Sequence, residues 1–129
     1  MISQKATAIT GWILTILLAF LFSMSALMKL TLNETGLVQA SALGIEAGTF
    51  RMIGVIEILS VILFVVPRTG VAGALLLIAY MGGAIATHVQ HQQSVAGVVL
   101  IEVLIWLTAS LRFPELGRRL IRYGEKNLG

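Results

Sequence analysis

The chain contains no cysteine and is poor in proline, histidine and charge. It has two prolines and two histidines among 129 residues, and 12% of its residues are charged. Without cysteine, this chain by itself forms no disulfide, thiolate nucleophile or iron–sulfur ligand set. Its two histidines, His88 and His91, lie too close together in sequence to ligate a haem from opposite helices. We therefore expect neither haem nor metal from this chain alone.

Apolar residues are what the chain has in excess. They make up 57% of the sequence, whereas a soluble domain is about 45–50% apolar and about 25% charged. This composition is typical of a membrane protein, and the length fits a single domain over residues 1–129. The net charge of +3 does not indicate nucleic-acid binding. The basic residues lie at the ends of apolar runs rather than in a patch interleaved with aromatic residues.

Four apolar runs, each roughly long enough to cross a bilayer, divide the chain. They cover about residues 8–28, 50–66, 71–87 and 95–111. In the long connection after the first run, Asn33-Glu34-Thr35 predicts the start of a short interfacial helix or lid. After the fourth run, Pro114 predicts the start of an amphipathic interfacial helix over about residues 114–124.

Basic residues distribute unequally about these runs. Four spans place both termini on one side of the membrane, and the opposite side then holds only Lys29 and Arg51. The positive-inside rule places the richer side in the cytoplasm. The predicted fold is an all-α integral membrane four-helix bundle in the cell inner (plasma) membrane. Its N and C termini are cytoplasmic, and it ends in an amphipathic interfacial helix. The basic residues on the cytoplasmic side are Lys5, Arg68, Arg112, Arg118, Arg119, Arg122 and Lys126.

Two carboxylates, Glu57 and Glu102, lie inside apolar runs. Burying an ionisable group in hydrocarbon costs roughly 2.5–3.5 kcal/mol on insertion scales, so such residues are functional candidates by default. Glu57 follows Arg51 by six residues, roughly 9 Å along a helix. Counting from the ends of the runs therefore places both carboxylates, with Lys29, Arg51 and His88, in the outer half of the bundle.

Helical spacing predicts that these polar residues face one cavity. Ser25 and Lys29 share a helix face, as do Tyr80, Ala84 and His88, because residues four apart are neighbours. Either Lys29 or Arg51 is placed to neutralise Glu57. Glu102 has no cation at its depth, and no residue is assigned a catalytic role. The predicted ligand-binding residues are Ser25, Lys29, Arg51, Glu57, Tyr80, His88, Glu102 and Trp106.

A polar cavity within an apolar bundle suits a lipophilic ligand with a polar head that gains or loses protons, such as a quinone. His88, which titrates near neutrality, is a candidate for proton transfer. Two other interpretations remain open. Buried acids also tie helices together, which is typical of a non-catalytic scaffold or assembly chaperone. A small multidrug exporter is the third, although the first run here lacks the carboxylate such exporters carry.

Short motifs in the first three runs, and in the turn between the second and third, resemble the DoxX / DoxX-like family. They are Met28-Lys29-Leu30, Gly54-x-x-Glu57, the Pro67-Arg68 turn, and Gly83-Ala84-x-x-Thr87-His88. The resemblance extends from Trp12 to about Arg112. It implies a small four-helix membrane protein in which Lys29, Arg51, Glu57 and His88 match the family's polar positions.

The family that these motifs resemble is functionally mixed. Some members are membrane subunits of thiosulfate:quinone oxidoreductase, others are membrane partners of thiol-related oxidoreductases, and a eukaryotic branch serves in receptor assembly. We therefore expect a quinone-binding membrane subunit of a redox complex, in contact with membrane lipids and a soluble oxidoreductase partner. Pairs of small residues in the third run, such as Ala79 and Gly83, also make a homodimer an expectation.

Overall fold

The computed structural model describes residues 4–119, which form helices and no strand. The helical structure of these residues confirms the all-α prediction. The residues beyond 119 that we assigned to the C-terminal interfacial helix lie outside the described part. The helices are α1 (Gln4–Thr31), α2 (Glu34–Ala42), α3 (Ala47–Val65), α4 (Gly70–Gln90), α5 (Ala96–Arg112) and α6 (Pro114–Gly117).

Three of these helices are long and apolar enough to cross a membrane. They are α1, α3 and α4, the last counted together with the 3₁₀ turn Pro67–Thr69 that precedes it. Helix α5 is also apolar but has 17 residues. Large apolar side chains stay exposed on the outer faces, for example Phe20 at 67% and Ile16 at 65%. Such exposure fits helices whose surroundings are lipid, because there is no water to drive those side chains inward.

The four long helices pack in a closed order. Helix α1 contacts α3, α3 contacts α4, α4 contacts α5, and α5 returns to α1. A core of buried side chains from all four lies between them, with Phe22, Phe64, Leu77 and Ile105 among the most buried. In this arrangement one face of each long helix is directed toward the core. On α3 the amino-acid pattern does not mark that face, because nearly every residue of the helix is apolar.

Glycine allows α3 and α4 to approach closely near the turn that joins them. Gly73 is buried, and a Cβ added there would collide with the backbone N and Cα of Phe64. In lipid, where apolar burial gives little drive for association, such close backbone packing is a main source of helix–helix stability. The contact fixes the pair at the end of the molecule opposite α2.

Arg112 holds that same end together. Its guanidinium lies 4.2 Å from the ring centroid of Trp12 and donates hydrogen bonds to the backbone carbonyls of Phe64 and of Val65, the latter at 2.9 Å. The last four carbonyls of a helix have no partner within the helix, so these bonds satisfy acceptors at the end of α3. The sequence had indicated Arg112 only as a topology signal.

The glycine contact predicts unequal effects of the same substitution at two positions of α4. Gly73→Ala should lower the free energy of unfolding by about 1–3 kcal/mol, the usual cost of overpacking. Gly82→Ala is the matched control, because an added Cβ there meets nothing within 4 Å. The measurement is unfolding in mixed detergent micelles followed by circular dichroism. Equal stability of the two variants would contradict close packing at Gly73.

Candidate ligand-binding cavity

Helix α2 folds back over one end of the helix assembly. The Asn33 side chain caps it by accepting a hydrogen bond of 2.8 Å from the Gly36 backbone N–H, as the sequence predicted for this helix start. Gly36 permits a tight return, since a Cβ there would lie 2.6 Å from the Met28 carbonyl oxygen. At the other end, Gly44 adopts a φ of 67° and packs against His91. Helix α2 therefore lies against α1 and α3, and the loop after it reaches the end of α4.

Beneath α2, Lys29 of α1 and Glu57 of α3 form a buried ion pair. Lys29 Nζ lies 3.1 Å from Glu57 Oε1, and their side chains are 7% and 1% exposed. The ammonium also donates to Ser25 Oγ at 2.6 Å, and Ser25 Oγ lies 3.4 Å from Glu57 Oε1. Burying two charges is costly unless they are paired and hydrogen-bonded. The geometry here meets both conditions.

Aromatic rings complete the surroundings of the ammonium. Lys29 Nζ lies 5.4 Å from the centroid of Phe50 and 6.0 Å from that of Tyr80. Both distances are within cation–π range. Tyr80 in turn packs edge-on against Phe22, with centroids 6.2 Å apart. The rings shield the pair from solvent and stabilise the cation by their faces.

Gly54 sets the distance between the two helices that carry the pair. A Cβ at this buried position of α3 would lie 2.8 Å from Lys29 Cβ. The absence of a side chain at Gly54 lets α1 and α3 approach closely enough for Lys29 to reach Glu57 one turn further along α3. Gly54 and Glu57 of the Gly-x-x-Glu motif therefore both lie on the face of α3 that contacts α1.

A cavity of about 470 Å³ adjoins this pair. Pockets of ~300–1,000 Å³ are usual for small-molecule ligands. The structure brings five of the predicted ligand-binding residues to its wall: Ser25, Lys29, Glu57, Tyr80 and His88. Most of the remaining wall is apolar and comes from all four long helices. The arrangement can hold a molecule with a small polar part beside the ion pair and an apolar part along the helices.

Three other predicted residues do not line this cavity. Arg51 is exposed, and its Nε donates to the Leu30 carbonyl at 3.1 Å, so it caps the end of α1 instead of pairing with Glu57. Glu102 accepts a hydrogen bond of 3.2 Å from Trp106 Nε1 on its own helix. On α5 the cavity is lined by Val98 and Ile101. Helix rotation therefore places the Glu102–Trp106 pair beside the cavity wall rather than on it.

Sequence reasoning missed the contribution of α2 and its following loop. Gln39, Leu43 and Ile45 line the cavity, and Leu43 is buried. The capping signal at Asn33 predicted the helix and left open whether it is interfacial or a lid, but no sequence pattern indicated which of its residues line the cavity. His88 is held by a 2.7 Å contact between its Nδ1 and the Ala84 carbonyl. A carbonyl oxygen accepts, so Nδ1 donates in that contact.

Within residues 4–119, no three histidine, cysteine, aspartate or glutamate side chains are grouped so that they could hold a metal ion. The polar part of the cavity is one ion pair with hydroxyl, amide and imidazole neighbours. These groups donate and accept hydrogen bonds.

The sequence model of the DoxX-like family matches residues 13–111. The chain belongs to the DoxX-like family. This match confirms the resemblance drawn from the motifs, and the matched range contains every residue that lines the cavity. No curated protein and no solved structure matches the chain. Family membership and the three apolar helices make this DoxX-like protein a multi-pass membrane protein.

The ion pair of this DoxX-like protein predicts a strongly asymmetric set of substitutions. Lys29→Met leaves the Glu57 carboxylate buried without a cation and should lower the free energy of unfolding by about 3–5 kcal/mol. Removing both charges, with Lys29→Met and Glu57→Met together, should recover most of that loss, since an apolar replacement of a buried pair is often neutral. Unfolding in mixed micelles measures all variants.

Arg51→Met serves as the control for Lys29→Met. It removes a cation that also lies near the end of a helix but is exposed. We expect a change of less than about 1 kcal/mol. If Lys29→Met were as mild as Arg51→Met, or if the double variant were less stable than the single one, the ion pair would not be supporting the fold.

Proposed function

We propose that this DoxX-like protein binds a quinone or a similar lipophilic molecule in the cavity beside Lys29 and Glu57. We further propose that it does so as the membrane subunit of a redox complex in the cell inner membrane. The observation that carries the proposal is the cavity itself. A mostly apolar space of about 470 Å³ has its polar groups concentrated around one ion pair. Such a division fits an amphipathic ligand better than a uniformly polar one.

The polar groups are suited to a ligand that exchanges protons. Tyr80 and His88 stand in the cavity wall with the Lys29–Glu57 pair, so a bound head lies near both hydrogen-bond donors and acceptors. Quinone reduction takes up two electrons and two protons. Side chains of this kind are able to position the carbonyl groups and pass protons to them.

The electrons have to come from another protein in this proposal. The chain has no cysteine, and its two histidines lie near one end of α4. A soluble oxidoreductase partner carrying the redox centre supplies what the chain does not. The membrane protein then provides the ligand site, the hydrophobic surroundings and the attachment to the bilayer.

The orientation we propose has four spans and cytoplasmic termini. Helix α5 packs against α1 and α4, both long enough to cross the membrane, so it runs alongside them as a fourth span. Arg68, Arg112 and Arg118 lie at the end away from α2, while Lys29 and Arg51 lie near α2. The positive-inside rule then places the cavity in the outer half of the bundle.

One observation favours a second candidate, a non-catalytic scaffold or assembly chaperone. The Lys29 ammonium already has two close oxygen partners and two aromatic neighbours. A pair so fully satisfied ties α1 to α3 without any ligand. In that case the cavity is a consequence of helix packing, and the partner is held by the outer faces of the helices.

The two candidates differ in whether a lipophilic molecule co-purifies with the protein. We expect native mass spectrometry with lipid extraction to find a quinone or another prenyl lipid on the wild type. Glu57→Gln should reduce its occupancy by about tenfold, because loss of a charge-assisted contact commonly weakens binding by this factor. Ala84→Met, which fills the cavity wall without touching the ion pair, should reduce occupancy as well.

Glu46→Gln is the matched control for Glu57→Gln. Glu46 is exposed and lies outside the cavity, so its variant should retain the co-purifying molecule. If the wild type and Ala84→Met both carry no specific small molecule while Glu57→Gln only loses stability, quinone binding is wrong and the scaffold candidate stands.

Because the chain has no cysteine, single cysteines report its orientation cleanly. We expect Gln93→Cys, in the connection between α4 and α5, to react with a membrane-impermeant maleimide added to intact cells. Arg118→Cys should react only after the membrane is permeabilised. Both positions are exposed in the structure, so a reversed labelling pattern would overturn the proposed orientation rather than report burial.

A further inference from the structure

The cavity is covered at one end and open at the side. Helix α2 and its following loop cover the end with Gln39, Leu43 and Ile45. On α4, Ala79 and Gly83 line the same cavity and are nevertheless exposed. A residue that does both marks a place where the cavity reaches the molecular surface. We refer to Ala79 and Gly83 as the α4 opening.

The α4 opening faces lipid rather than water. The two residues are one turn apart on one face of the helix and lie well inside α4, which is among the helices able to cross a membrane. A surface at that depth contacts the hydrocarbon part of the bilayer. A route through it therefore connects the cavity with the membrane interior.

On the α4 side the opening is free of bulky side chains, whereas Leu21 of α1, which also lines the cavity, is 44% exposed. A Cβ added at Gly83 would meet nothing within 4 Å, so open space lies in front of its backbone. By contrast, the neighbouring turns of α4 expose large apolar residues, including Leu75 and Leu76 at 53% and 45%. Small residues at this one stretch leave room for a chain to pass.

The lining of the cavity changes from charged side chains at its deep end to apolar ones at the α4 opening. At the deep end, Lys29 and Glu57 cancel each other's charge, so a neutral head is accommodated without leaving an unpaired ion. At the α4 opening the lining is Ala79 and Gly83, and the hydroxyl of nearby Thr87 is taken up by a 2.8 Å hydrogen bond to the Gly83 carbonyl. A polar head and an apolar chain match the two ends in that order.

We propose that the cavity is filled sideways from the bilayer by a membrane amphiphile. Its neutral head lies beside the Lys29–Glu57 pair and its alkyl or prenyl chain leaves past Ala79 and Gly83. This inference rests on the proposed ligand-binding function and adds to it the ligand class and the route of entry. The alkyl or prenyl chain of the amphiphile remains in lipid while its head is bound. The length of that alkyl or prenyl chain beyond the opening is therefore not restricted by the 470 Å³ of the cavity.

The test uses a decylubiquinone analogue with a photoreactive diazirine at the end of its alkyl chain. The protein is reconstituted in lipid nanodiscs, labelled by light, and the modified residues are located by mass spectrometry. Labelling that an excess of plain decylubiquinone suppresses is counted as specific. We expect specific labelling around Ala79 and Gly83, where the chain leaves the cavity.

Two matched variants test the opening itself. Gly83→Leu places a side chain in the route, and the exclusion of about two methylene groups should lower specific labelling by about tenfold. Gly82→Leu adds the same side chain at a neighbouring position that also has open space but does not line the cavity. It should label like the wild type.

The outcomes separate this inference from the function on which it rests. Specific labelling confined to Gln39–Ile45, or equal loss in Gly82→Leu and Gly83→Leu, would overturn lateral entry while leaving ligand binding intact. If no labelling at any position is suppressed by plain decylubiquinone, the binding function itself is overturned. Specific labelling at the α4 opening that is lost only in Gly83→Leu supports both.

Discussion

The buried contact between Lys29 and Glu57 is the interaction on which the arrangement of this protein depends. Two charges surrounded by apolar helices persist only because they neutralise each other and share hydrogen bonds and aromatic faces. The contact requires α1 and α3 to approach closely, and Gly54 permits that approach. It also fixes where the buried charges lie among the helices, which is beside the cavity.

The two ends of the molecule are held together by different contacts. Away from α2, Arg112 donates to the last carbonyls of α3 and stacks on Trp12, while Gly73 brings α4 onto α3. That end is closely packed. At the α2 end the helices enclose a cavity beside the ion pair. The two ends therefore differ in packing: one leaves no space between the helices, and the other encloses a cavity beside buried polar groups.

Membership of the DoxX-like family establishes the kind of protein, and the cavity lining carries the argument about its function. A fold shared by oxidoreductase subunits and assembly proteins does not by itself decide between them. The side chains around the ion pair do bear on that choice. His88, whose Nδ1 bonds the Ala84 carbonyl, adds an imidazole to the cavity wall that the ion pair does not require, whereas the complete hydrogen bonding of Lys29 is equally expected in a scaffold.

The sequence by itself determined the helices, because long apolar runs broken by Pro67 and Pro114 leave the backbone no other way to satisfy its hydrogen bonds in lipid. It also determined the depth of Lys29 and Glu57, since rise per residue converts position into distance. Only the tertiary structure decided the rotation of each helix. The long helices are apolar on nearly all sides, so the sequence does not mark which face of each is directed inward. It therefore did not predict that Arg51 caps α1 or that Glu102 bonds Trp106 on its own helix. The return of α2 over the site likewise depended on contacts between distant residues, which no local pattern records.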